Sequence, residues 1–200
     1  MTARARLLAV AATVLAGALG VISSTQTWLT VILADGAEHA LPVPGASAIP
    51  VLAPLSLAVL ALGGALSIVG LVLRYVFGAL TVIIAVVLGF LTAQVAFAPP
   101  IAAVTATVTT ATGITGAEAV AALVLRIETT AWPYAALAGW VVLLAAGLFT
   151  LATGRRWRGS SRRYQKDAAT AATGGSAASR PHDAIDSWDD LSRGDDPTAR

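Results

Sequence analysis

The chain has 200 residues, 56% of them hydrophobic and only 12% charged, with a mean hydropathy of +0.77. Soluble domains carry about 25% charged residues, so this composition excludes a water-clothed globule and indicates an integral membrane protein with a soluble tail. The net charge of +2 is segregated into residues 1–153 with four bases and four acids, residues 154–166 with six bases, and residues 167–200 with three bases and seven acids, so basicity is one short patch and nucleic acid is excluded as a default partner.

The first element is uncharged from Leu7 to Ala34 and most continuously apolar over Leu7–Ile22. A crossing takes about 20 residues at about 1.5 Å each, so the first predicted span covers 7–27. Arg4 and Arg6 ahead of a Leu/Ala/Val run also resemble a secretory signal, but Leu19-Gly20-Val21-Ile22-Ser23 lacks a small-x-small cut site, which favours an uncleaved helix. Thr27–Leu33 is β-branched and aromatic, Asp35-Gly36 is a turn signal, and His39–Val43 can return as the second strand of a hairpin. Pro42 and Pro44 would restrict that strand to an edge. The competing reading leaves Trp28 in the interfacial belt with frayed flanks.

Spans two and three are predicted over 51–73 and 76–98, parted at Arg74-Tyr75. Ala85, Gly89 and Ala93 recur at four-residue spacing in span three, as do Ala16 and Gly20 in span one and Ala135 and Gly139 in span four, and such rows let helix backbones approach. Gln94 is the most polar side chain well inside a span and reads as a structural hydrogen-bonding group. In the loop 99–131, Thr105–Thr112 has the alternating texture of a strand. Glu118–Ile127 places Val120, Leu123, Val124 and Ile127 at helical spacing behind a Thr115-to-Glu118 capping box, which predicts a short helix. Trp132–Thr153 is the fourth span, opened by Trp132-Pro133-Tyr134 at the interface.

Lys and Arg gather on the cytoplasmic side of membrane proteins. With four spans, Arg4, Arg6, Arg74 and the run after span four share one side, and the loops 34–50 and 99–131 carry only Arg126. The sequence therefore predicts a mainly α, four-helix membrane bundle with both termini cytoplasmic in a bacterial cell membrane, topped by an outer cap of a possible hairpin and a short helix. Arg155, Arg156, Arg158, Arg162, Arg163 and Lys166 anchor the last span and can attract anionic lipid, on the order of 1 kcal/mol per base. Residues 167–200 form a flexible acidic tail, in which Ile185, Trp188 and Leu191 are spaced by three and would make one stripe on a short helix.

The spans contain no ionisable side chain between their flanking charges, which disfavours ion-coupled transport. No cysteine is present, and His39 and His182 fall on opposite predicted sides of the membrane. Asp189-Asp190 and Asp195-Asp196 lack the spacing of a calcium loop. These features predict neither an enzyme nor a bound cofactor or metal.

The terminal segment Ser187-Trp188-Asp189-Asp190-Leu191-Ser192-Arg193-Gly194-Asp195-Asp196-Pro197-Thr198 resembles the closing motif of the tryptophan-associated transmembrane protein family of high-GC Gram-positive bacteria, Trp-Asp-x-Leu-x-x-Gly-x-Asp-Pro-Thr. Arg4-Ala5-Arg6-Leu7-Leu8 at the start and Thr27-Trp28 after the first span fit as well, although the Ala/Gly/Ser linker is longer than the motif requires. The resemblance implies four membrane helices and a gene among those for tryptophan biosynthesis, with no particular activity. The residues suggest a membrane adaptor whose Ile185, Trp188 and Leu191 dock on a cytoplasmic partner. The alternative is an accessory or sensor in transport of tryptophan or an aromatic precursor. Oligomeric state stays open.

Overall fold

A computed structural model describes residues 2–34 and 40–153. Helix α1 (Thr2–Thr25) leads into strand β1 (Thr27–Leu33), and β2 (Ala40–Pro44) returns beside it before the single turn α2 (Gly45–Ala48). Helices α3 (Leu52–Leu66) and α4 (Leu71–Phe97) follow, then α5 (Ala102–Thr112), α6 (Ala117–Leu123), strand β3 (Val124–Thr129) and helix α7 (Trp132–Thr153). Arg4–Thr25, Leu71–Phe97 and Trp132–Thr153 are long and apolar enough to cross a membrane, whereas α3 has only 15 residues.

The long helices touch through glycine. A Cβ at Gly17 would lie 3.0 Å from Leu60 Cγ, and one at Gly63 would lie 2.7 Å from Val14 Cγ2, so α1 and α3 run antiparallel. A Cβ at Gly78 would lie 3.0 Å from Leu151 Cδ2, and one at Gly147 would lie 2.8 Å from Val82 Cγ2, so α4 and α7 do the same. Between α1 and α7, a Cβ at Gly139 would come within 2.9 Å of Leu19 Cδ2. Gly20 marks a junction of three helices, because a Cβ there would meet Ser56 of α3 and approach Trp140 Cη2 of α7 to 2.5 Å. Leu8, Leu15, Val72, Val76, Ile83, Phe90, Val141 and Leu148 stay exposed along the outer faces. Side chains of this kind suit hydrocarbon, where every backbone polar group is satisfied within its own helix.

The helix break falls earlier than the charges suggested. α3 ends at Leu66 and α4 begins at Leu71, so Arg74 lies one turn inside α4 and not in a connector at 74–75. Ser67 Oγ donates to Gly64 O at 2.6 Å, and Gly70 is extended with ψ of −178°. Glycine and a back-bonding serine end a helix, whereas a charge marks depth in the bilayer without interrupting the backbone.

Three further expectations are corrected. Thr105–Thr112 is helical, within α5: Thr105, Thr110 and Thr112 each donate a hydroxyl to the carbonyl four residues back at 2.8–2.9 Å, and the buried Ala103, Val104 and Val108 follow helical spacing. Gly113, at φ +74°, then closes α5 in the left-handed conformation. The expected helix over Glu118–Ile127 stops at Leu123, and Val124–Ile127 pair with β1 as the first part of β3. No capping box forms, because the cap position is Gly116 at φ +103°, with no side-chain hydrogen bond.

The expected hairpin is present and gains a third strand. The sheet order is β2-β1-β3, antiparallel throughout, with Val31 paired to Leu41 on one side and to Ile127 on the other. β2 takes an edge, as its two prolines require.

Candidate functional site in the cap

The end of α1, the start of α3, the end of α4 and the start of α7 all connect to the same group of short elements, which form a cap. Its centre is Trp28. The side chain is fully buried, so the interfacial reading of this residue is overturned. Its indole Nε1 donates to Ser23 O at 2.9 Å and to Ser23 Oγ at 3.0 Å, tying β1 back onto the last turn of α1. A Cβ at Gly45 would lie 2.7 Å from the same nitrogen, so the first residue of α2 can close over the ring only as glycine. The backbone of Trp28 accepts from Thr130 N at 2.9 Å, and Thr130 Oγ1 donates to Thr27 O at 2.7 Å, which fixes the entry to α7. One aromatic residue thus joins α1, α2 and the approach to α7.

Beside this centre, Pro44 and Ser47 face Ala106, Thr107, Thr110 and Ala111 of α5 across an open cleft of about 370 Å³. That volume is at the small end of ligand sites, which span about 300–1,000 Å³. The lining has no charge. The Thr110 hydroxyl is used within α5, donating to Ala106 O at 2.9 Å. Small apolar surfaces and hydroxyls can hold a small uncharged group but offer no acid or base. Among the described residues, no three His, Cys, Asp or Glu side chains come together to hold a metal ion.

Below the cap, buried hydroxyls are used close to home. Thr13 donates to Ala9 O at 2.9 Å, Ser56 to Leu52 O at 2.6 Å, Thr81 to Phe77 O at 2.8 Å and Thr150 to Ala146 O at 2.8 Å. Trp140 Nε1 donates to Thr92 Oγ1 at 3.1 Å and Tyr134 Oη donates to Ala96 O at 3.0 Å, and both bonds join α7 to α4. Gln94 is exposed on α4, and its neighbour Thr92 supplies the interhelix bond instead.

Of the residues singled out from sequence, Ala85 is buried in α4, Ala93 is half-buried, and a Cβ at Gly89 would sit 3.9 Å from Trp140 Cβ. Tyr134 sets its ring edge-on to Phe97 with centroids 5.8 Å apart. Asp35, Gly36 and His39, the bases from Arg155 to Lys166, and the stripe Ile185, Trp188 and Leu191 all lie outside the described residues. Sequence reasoning missed the Trp28–Ser23 and Trp140–Thr92 bonds. The available signal was a tryptophan with hydroxyl residues within a helical turn or on a facing span, which favours an interior donor.

The chain belongs to the tryptophan-associated transmembrane protein family, whose model matches residues 10–198. The match covers the cap as well as the helices. No curated protein and no solved structure matches the chain.

Proposed function

We propose that the protein is a non-enzymatic, four-crossing anchor of the bacterial cell membrane, with both termini cytoplasmic, that serves tryptophan biosynthesis as a docking protein. The fourth crossing is supported by the course of α3. At about 1.5 Å per residue its 15 residues rise about 22 Å, short of a bilayer core of about 30 Å. Yet α3 follows α1 from Gly20–Ser56 through Gly17–Leu60 to Gly63–Val14, and the four residues 67–70 separate it from α4. A reporter fused to the C-terminus should therefore lie on the same side as one fused to the N-terminus. Opposite sides would mean three crossings and remove α3 from the count.

The anchoring role rests on the fate of the buried hydroxyls. Thr13, Ser56, Thr81 and Thr150 each bond within their own helix, and Thr92 accepts from Trp140, so these hydroxyls serve the helices themselves, while the buried Arg74 near the start of α4 donates to Val69 O at 3.2 Å. The docking element is the stripe Ile185, Trp188 and Leu191, tethered beyond the basic run. A photoreactive group at Trp188, used in living cells, should capture one cytoplasmic protein, and Leu191→Asp should abolish the capture. Lipid alone in the crosslinked product would overturn the adaptor role.

The family's association with tryptophan favours a second reading, an accessory or sensor in transport of tryptophan or an aromatic precursor. Under that reading, uptake or efflux of labelled tryptophan would change on deletion of the gene and would be insensitive to Leu191→Asp.

A further inference from the structure

The sheet of the cap ends in two unlike edges. β1 turns the backbone groups of Trp28, Thr30 and Ile32 toward β3, since Thr130 N donates to Trp28 O at 2.9 Å and the register continues through Thr30↔Glu128 and Ile32↔Arg126. In an antiparallel ladder the backbone groups of alternate residues face opposite neighbours. On β2, Leu41 and Val43 therefore face β1, and the outward positions fall on Ala40 at the strand's start, then Pro42 and Pro44. Neither proline has an N–H to offer, so that edge is closed to a further strand.

On β3 the same alternation turns Glu128 and Arg126 toward β1 and leaves the N–H and C=O groups of Ile127 and Thr129 facing outward. No proline interrupts β3. The side chains of Arg126 and Glu128 stand together on the face away from the core, 63% and 53% exposed and 2.9 Å apart, and Leu125 beside them is 64% exposed. Ile127, between them, packs toward the core.

We propose that β3 is the surface through which two copies of this chain associate, strand against antiparallel strand about a two-fold axis at Ile127. In this register the outward N–H and C=O of Ile127 bond to the same groups of Ile127 in the second copy. Arg126 then lies opposite Glu128 of the second copy, and Glu128 opposite Arg126. Both pairs occupy non-hydrogen-bonded positions, where facing side chains come closest, and opposite charges there are favourable. A contact of this kind is self-complementary, as a two-fold interface demands. The neighbouring register, centred on Glu128, sets two carboxylates against each other and is disfavoured. The register shift between Ile32 and Leu33 bulges β3 at Leu125, which confines the ladder to its second half.

The chain has no cysteine, so introduced thiols report the register directly. Arg126→Cys and Glu128→Cys full-length chains, carrying different tags, are co-expressed and oxidised in native membranes with copper phenanthroline. In the mixed pair the two thiols face each other across a distance a disulfide can bridge, while the remaining Arg126 and Glu128 still form the second ion pair. The mixed dimer is expected to exceed the crosslinked product of either variant alone by about tenfold. Glu128→Cys linking to itself would place the axis at Glu128 and overturn the proposal, as would the absence of any crosslink. In a second measurement, Arg126→Glu should abolish co-purification of two tagged copies, and the exchange Arg126→Glu with Glu128→Arg should restore it. Unchanged co-purification of Arg126→Glu would equally overturn β3 as the contact.

Discussion

Trp28→Ala is expected to destabilise the protein by about 3–5 kcal/mol, the range for emptying a fully buried large aromatic site. The ring is fully enclosed, and its indole N–H ties β1 to the last turn of α1. α2 approaches so closely at Gly45 that it cannot settle into the vacated space without moving the chain on both sides, and Thr130 would keep its bond to the Trp28 carbonyl over a void. Trp28→Phe separates the contributions. It keeps most of the buried volume and removes the indole N–H, leaving the buried Ser23 Oγ without its donor, at a cost of about 1–2 kcal/mol. Thermal unfolding of the purified protein in one detergent, with limited proteolysis to register opening of the cap, compares the two. A Trp28→Ala variant as stable as Trp28→Phe would mean that the ring contributes little by packing.

The distinction between packing and polarity also explains which parts of this fold could be read from residues. α7 matches its predicted boundaries because uncharged length and an opening Trp-Pro-Tyr are local signals. The β1–β2 hairpin was legible for a similar reason, and the prolines of β2 even named the edge. α5 was not legible as a helix because alternating Thr, Ala and Val satisfies a period of two as readily as helical spacing. The choice is made by hydroxyls that bond back along a helix and by Ala103, Val104 and Val108 reaching a common interior. β3 is a harder case. Val124 and Ile127 fit a helix locally, and their strand conformation comes from β1, far earlier in the chain. In the cap, the tryptophan at its centre was visible as a residue and invisible as a donor, because its acceptors belong to the preceding helix. The stripe Ile185, Trp188 and Leu191 is the reverse: legible as a motif, and outside the described residues.

Gly20→Ala is expected to cost about 1–3 kcal/mol, although alanine is the better helix former. The added methyl would approach Trp140 Cη2 to 2.5 Å and press on the Ser56 side chain, so α1, α3 and α7 would all have to separate. Trp140 cannot swing aside cheaply, because its indole N–H is held by Thr92 Oγ1 at 3.1 Å on a fourth helix. Gly64→Ala supplies the opposite sign: a Cβ there meets nothing within 4 Å, and relief of glycine's backbone entropy should stabilise α3 by about 0.5–1 kcal/mol. Trp140→Phe removes the outer part of the indole that the added methyl would strike, while also losing the bond to Thr92. The double variant Gly20→Ala with Trp140→Phe should therefore lose less than the sum of the two single variants, with a coupling of about 1 kcal/mol or more. Unfolding of the four variants and the parent in the same micelles measures that coupling. Strict additivity would show that the added methyl is accommodated elsewhere, whereas a positive coupling ties the close approach of three helices to the one hydrogen bond that keeps the indole in place.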